Sequence, residues 1–234
     1  AIVAVLSPML GAIADVSASK KRFLLVLTII ACTFTASLFF VTEGAIVLGM
    51  TLFILAEVGY RSGQVFYNAF LPEIADEHEM GRVSGNGWAI GSAGGVLCLL
   101  LVLAAVKLVG GTWVVRLSLV FTAIYFAAFA TPLFLRLQER GDRRPLPRGR
   151  ELISVPFCRL AETLRAARQH REFGKFLLAF LIYNEGILIT LSYGAILGAT
   201  LFDLGRDQII IFMVLVQAAS VPGAFIPGLM IGRL

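Results

Sequence analysis

The run Phe23 to Thr42, FLLVLTIIACTFTASLFFVT, holds twenty residues without an Asp, Glu, Lys or Arg. A helix rises about 1.5 Å per residue, so such a run covers about 30 Å, the thickness of the hydrocarbon core of a bilayer. Five further stretches repeat the pattern. Val83 to Val106, Leu117 to Leu135 and Gln208 to Gly232 are equally free of charge, and Ala45 to Leu71 and Phe176 to Thr200 join them once one or two polar residues are allowed. The opening Ala1 to Ala14 is apolar but too short to span, and reads as the second half of a helix belonging to a longer polytopic protein. The whole chain is 58% hydrophobic and 15% charged, with a mean hydropathy of +0.87. This is the balance of a membrane protein rather than of a water-soluble domain. The expected fold class is all-α: a polytopic membrane helical bundle with about seven transmembrane helices, its partner the lipid bilayer.

The basic residues fix a sidedness. Lys20, Lys21 and Arg22, then Arg82, eleven residues from Arg136 to Lys175, and Arg233 all fall on one side of an up-and-down arrangement, sixteen of the twenty Lys and Arg. By the positive-inside bias that side faces the cytoplasm. Residues 1–136 then form a first bundle, 137–172 a basic cytoplasmic linker, and 173–234 the start of a second bundle. Within the linker, Phe157, Leu160, Ala161, Leu164 and Ala167 recur at helical spacing beside Arg159, Arg165 and Arg168, as in a helix lying on the inner leaflet. The linker's charge is no nucleic-acid arm, because acidic residues interleave with the basic ones and no aromatic platform accompanies them. Cys32, Cys98 and Cys158 lack metal-ligand spacing and read as free thiols. His78 and His170 have no nearby Cys or His, so neither a metal nor another cofactor is expected.

Two sets of polar residues break the apolar pattern. Glu57, Arg61, Gln64 and Asn68 follow a spacing of four, three and four, which puts them on one stripe of a helix. A charge in hydrocarbon costs about 2.5 to 3.5 kcal/mol on insertion scales, so the stripe must face protein or water. Either Glu57 and Arg61 form an ion pair that only fixes helix packing, or the stripe is the wall of an aqueous cavity. The second set is Tyr183-Asn184-Glu185-Gly186, near the middle of another span. Glu185 has no basic residue within a turn on its own helix, and burial of a carboxylate favours its protonated form. Such a group can exchange a proton as its surroundings alternate between dry and wet. A partner on another helix is the alternative.

Glycines supply the contacts. Gly87, Gly91 and Gly95 form two overlapping Gly-x-x-x-Gly units, and Ala224, Gly228 and Gly232 repeat the spacing in the last span. Small residues at every fourth position let helices approach closely. Two such stripes at matching depth suggest a contact between two halves that can open, with Pro222 and Pro227 loosening the second helix.

These residues resemble a known family. Gly11-Ala-Ile-Ala-Asp15 followed by Lys20-Lys21-Arg22 is similar to the loop after the second helix of major facilitator superfamily transporters, with the basic cluster further from the Asp than usual. Arg61-Ser-Gly-Gln64 resembles the Arg-x-x-Gln of their fourth helix. The segments YNAFLPEIADEHEMGRVSGNGWAIGSAGG and FLLAFLIYNEGILITLSYGAILG resemble the vacuolar amino-acid effluxer branch and its bacterial relatives. The resemblance implies part of a twelve-helix fold, about helices two to eight, with helices five and eight meeting between two six-helix bundles.

The function expected is that of a secondary active transporter of a small solute, an amino acid or similar metabolite, working by alternating access in a cell or vacuolar membrane. Glu57, Arg61, Gln64, Asn68, Asn184 and Glu185 would line its cavity, with Glu185 as the proton-coupling group. Asp15, Lys20, Lys21, Arg22 and Arg82 would form the cytoplasmic gate. A sensor or scaffold on the same fold is the main alternative. A membrane-embedded transferase would call for clustered catalytic His, Asp or Ser residues, and only His78 among its acidic neighbours offers one, so no enzyme is expected.

Overall fold

The computed structural model describes residues 7–11, 13–14, 19–76, 78–137, 139, 158, 161–162, 165 and 171–231, with the backbone alone at 171, 190–192, 206 and 224–231. Asp15, Gly232 and most of the basic linker lie outside the described residues. All elements within them are helical. We number them α1 (Lys20–Ser37, continued by the 3-10 turn Leu38–Phe40), α2 (Ile46–Asn68), α3 (Leu71–Ile74), α4 (Met80–Val109), α5 (Gly111–Arg136), α6 (Arg171–Leu201) and α7 (Arg206–Ile231).

Four of these segments are long and apolar enough to cross a bilayer: Lys20–Phe40, Ile46–Ile74, Met80–Val109 and Gly111–Arg136. In α6, Glu172–Ile189 and Tyr193–Leu201 form a fifth when taken as one span bent by 50°. The described apolar part of α7, Asp207–Gly223, is shorter. The multi-pass helical architecture expected from the apolar runs is therefore present. Helix ends go beyond those runs where the backbone permits. Gly110 alone separates α4 from α5, at a φ of +68° that side chains rarely adopt, so the chain reverses without a longer loop.

Contacts divide the chain into two compact units, Ala1–Val83 with Ala104–Phe157, and Ser84–Leu103 with Cys158–Leu234. In the first unit α1 packs against both α2 and α5. Its core gathers at the Lys20 end, where Ala14, Leu24, Phe66 and Phe70 are buried and Leu133, Phe134 and Leu137 close over them. Phe23 stacks on Phe66 at 5.3 Å between ring centroids. At the opposite end Trp113 meets Phe39 edge-on, and the Arg116 guanidinium donates to the Val41 carbonyl.

Few apolar side chains are buried, and large ones such as Val26, Ile29, Val47 and Phe53 lie open. For a span this is the expected state, because acyl chains cover what water would penalise. In the second unit α6 packs against α7. A Cβ at Gly194 would stand 3.3 Å from the Phe212 ring, and one at Gly198 would stand 3.1 Å from Leu204.

Candidate functional site

The polar stripe takes its orientation from the opposite side of its own helix. Ala56, Gly59, Ser62, Gly63 and Phe66 are the buried residues of α2. Gly59 is the point of closest approach, since a Cβ there would lie 3.1 Å from the Ala31 amide nitrogen and 3.2 Å from the Leu27 carbonyl oxygen. Gly63 continues the contact against Leu24 and Leu27. At about 100° per residue, the middle of the Gly59 and Gly63 edge stands about 150° around the axis from the middle of the stripe formed by Glu57, Arg61, Gln64 and Asn68. Backbone-to-backbone packing on α1 thus turns the polar face outward from that contact.

On this face the Arg61 Nε donates to the Glu57 Oε1 at 2.5 Å, and both side chains are part-exposed. The pair offers one anionic and one cationic edge on the same turn. Gln64 donates through Nε2 to the Tyr60 hydroxyl at 3.0 Å. Tyr60 in turn meets Phe126 of α5 edge-on at 6.1 Å. Asn68 is exposed. Four side chains expected on one stripe do share it, and Tyr60, which the spacing did not single out, orients one of them.

Asn184 and Glu185 belong to the second unit. Asn184 is half-buried and Glu185 exposed. The bend in α6 falls between Ile189 and Tyr193, about one turn after Glu185. Of the first glycine stripe, Gly91 has open space around it, whereas a Cβ at Gly95 would stand 3.3 Å from the Gln217 Nε2 of α7. The side-chain surroundings of Gly228 lie outside the description.

The expected gate residues separate into different settings. Lys20 reaches Glu73 with its Nζ 2.6 Å from Oε1, each side chain only 13% exposed, and also donates to the Ala69 carbonyl at 3.4 Å. Lys21 donates through its backbone amide to Glu139 at 2.5 Å and through Nζ to the Leu137 carbonyl at 2.7 Å. The start of α1 is thereby tied to α3 and to the segment just after α5. Arg22 is exposed, and Arg82 pairs with Glu79 three residues back at 2.7 Å. Glu73 and Glu139 are the residues that sequence reading missed. They lie 53 and 118 residues from their partners, so no local spacing could announce them. Gly59 and Gly63 were missed as well, although they carry the same four-residue spacing as the stripe at Gly87, Gly91 and Gly95.

Membrane-length helices packed through glycine, with a charged pair inside a span and charges clamped at one end, define a multi-pass helical membrane protein. The chain belongs to the family described as vacuole effluxer Atg22 like, which it matches over residues 1–234. It is 29% identical over 238 residues to the MFS-type transporter YxiO of Bacillus subtilis (strain 168), an alignment covering 97% of this chain and 54% of the relative. It is 28% identical over 144 residues to autophagy-related protein 22 of Cryptococcus neoformans var. neoformans serotype D, covering 60% of this chain and 26% of the fungal protein. The chain therefore spans about half the length of the bacterial relative and about a quarter of the fungal one. No solved structure matches it. The resemblance to the effluxer branch of the major facilitator transporters is borne out.

Proposed function

We propose that the chain is part of a secondary active transporter that moves a small polar solute, such as an amino acid, across a membrane by alternating access. The observation that carries this reading is the paired Glu57 and Arg61 on the face of α2 turned away from its glycine contact with α1. Charge at that depth is tolerated where water or a polar solute can reach it. Gln64, Asn68 and Asn184 complete the cavity wall. Glu185 is the coupling group of this reading.

In this reading residues 1–136 form one bundle, 137–172 a basic linker at the cytoplasmic face, and 173–234 the start of a second bundle that rocks against the first. Asp15, Lys20, Lys21, Arg22 and Arg82 act at the cytoplasmic gate. The clamps from Lys20 to Glu73 and from Lys21 to Glu139 support that role by bringing three segments together at one end of the first unit. The protein performs no bond-making chemistry, and its ligands are the solute and a coupling proton, not nucleic acid.

The test is uptake of labelled solutes into liposomes holding the full-length protein, with and without a pH gradient. Transport should rise with the gradient in the wild type, and Glu185→Gln should remove that dependence while the protein stays folded. A Glu185→Gln protein that still follows the gradient would overturn the coupling role. Absence of transport for any solute in a broad panel would favour the sensor or scaffold.

A further inference from the structure

Hydroxyl groups in these helices have a usual outlet. Ser37, Thr51, Thr122, Thr131 and Thr200 each donate to the carbonyl four residues earlier, at 2.7 to 2.8 Å, and Ser220 donates to that of Gln217 at 2.7 Å. A serine bonded in this way needs nothing from a neighbouring helix.

Ser92 of α4 departs from the pattern. It is 2% exposed, and among the described residues its Oγ is the buried side-chain polar atom without a hydrogen-bond partner. Its hydroxyl makes no hydrogen bond to its own helix backbone. An unsatisfied donor and acceptor in an apolar interior is costly, so it calls for a partner within reach. Ala89, also 2% exposed, lies one turn before Ser92, and Gly95 lies one turn after it, so the three share a stripe. At Gly95 the stripe meets the Gln217 side chain, whose Cγ, Cδ and Nε2 would all stand within 3.7 Å of an added Cβ. A side chain at position 95 would force that amide to shift by a few tenths of an ångström. Gln217 has three rotatable side-chain bonds, and Ser92 lies one turn along the same stripe from Gly95. The Ser220 hydroxyl proton is taken by the Gln217 backbone carbonyl and is not offered to the Gln217 side-chain oxygen.

We propose that Ser92 and Gln217 are the two halves of a polar clasp that closes α4 onto α7, and that the structure records it open. Gly95 is the notch in which the amide rests. The clasp is a property of the second unit and stands whether or not the protein is a transporter.

The sign of one substitution separates the clasp from a merely buried hydroxyl. If the hydroxyl has no partner, Ser92→Ala removes a penalty and leaves the melting temperature of the detergent-solubilised full-length protein unchanged or raised. If the clasp closes, Ser92→Ala lowers it by about 2–4 °C, the shift that a hydrogen bond's loss gives in a protein of this size. Gln217→Met, nearly the same shape but unable to donate, should lower it similarly, and the double variant should melt no lower than either single one. Additive losses would mean that the two side chains have separate partners and would overturn the clasp. Should Gln217→Met fail to fold, Ser92→Thr decides by the conservative route: with the hydroxyl kept, the melting temperature should stay closer to wild type than in Ser92→Ala, and an equal loss in both would refute the proposal.

Discussion

Glu57 and Arg61 sit one turn apart with their charges in contact, and their value depends on what each leaves behind when its partner is removed. A lone charge on a span pays the insertion cost that the pair shares. Glu57→Gln and Arg61→Met should each therefore lower expression and thermal stability, and the double variant should recover much of both. Transport separates packing from solute binding. With both charges lining the cavity, all three variants lose uptake by about tenfold or more, equivalent to about 1.4 kcal/mol of binding or barrier. A double variant that folds and transports at the wild-type rate would reduce the pair to a packing device. Tyr60 sharpens the same test at smaller scale. Its hydroxyl accepts from Gln64, so Tyr60→Phe frees the Gln64 amide without emptying the space beside Phe126. The expected outcome is weaker half-saturation with little change in melting temperature, read from uptake across a range of solute concentrations.

At the scale of helices, the glycines are not equivalent despite their identical spacing. A Cβ at Gly59 would press on Ala31 and Leu27 backbone atoms at 3.1 and 3.2 Å, which cannot move aside without separating α1 from α2. A Cβ at Gly91 would meet nothing within 4 Å. Gly59→Ala should thus destabilise by about 1–3 kcal/mol through overpacking, while Gly91→Ala should be neutral or slightly favourable through helix propensity. Thermal unfolding of the two variants side by side checks the ranking, and equal effects would contradict the described contact. The contrast also explains how far the sequence carried. Run length and charge located the spans, and the four-residue spacing located the polar stripe, because both depend on period and hydropathy alone. Spacing could not tell which glycine stripe bears a close contact, since that depends on what stands opposite. The Gly59 and Gly63 pair stands among the polar residues between Glu57 and Asn68, so the same helix turn that carries the charges also carries the close contact.

For the whole molecule, lipid covers most of the apolar surface, so the few buried polar contacts between distant segments carry much of the specificity of assembly. The Lys20 to Glu73 bridge is the clearest, joining residues 53 apart in sequence with both side chains 13% exposed. No periodicity foretold it, because the acid belongs to α3, a four-residue helix without a pattern of its own. Removing one member of a buried pair costs up to about 3–5 kcal/mol, since the remaining charge keeps its desolvation penalty without compensation. Lys20→Glu or Glu73→Lys places two like charges at that site and should depress the yield of folded protein and its melting temperature. Exchanging both should restore most of the loss. The recovery should stop short of wild type, because a glutamate at position 20 cannot donate to the Ala69 carbonyl as Lys20 does. Full additivity of the two single losses, measured by thermal unfolding in detergent, would mean that the charges do not interact in the membrane. Recovery of folding without recovery of uptake would instead locate at this bridge a step of the transport cycle that requires the native polarity of the pair.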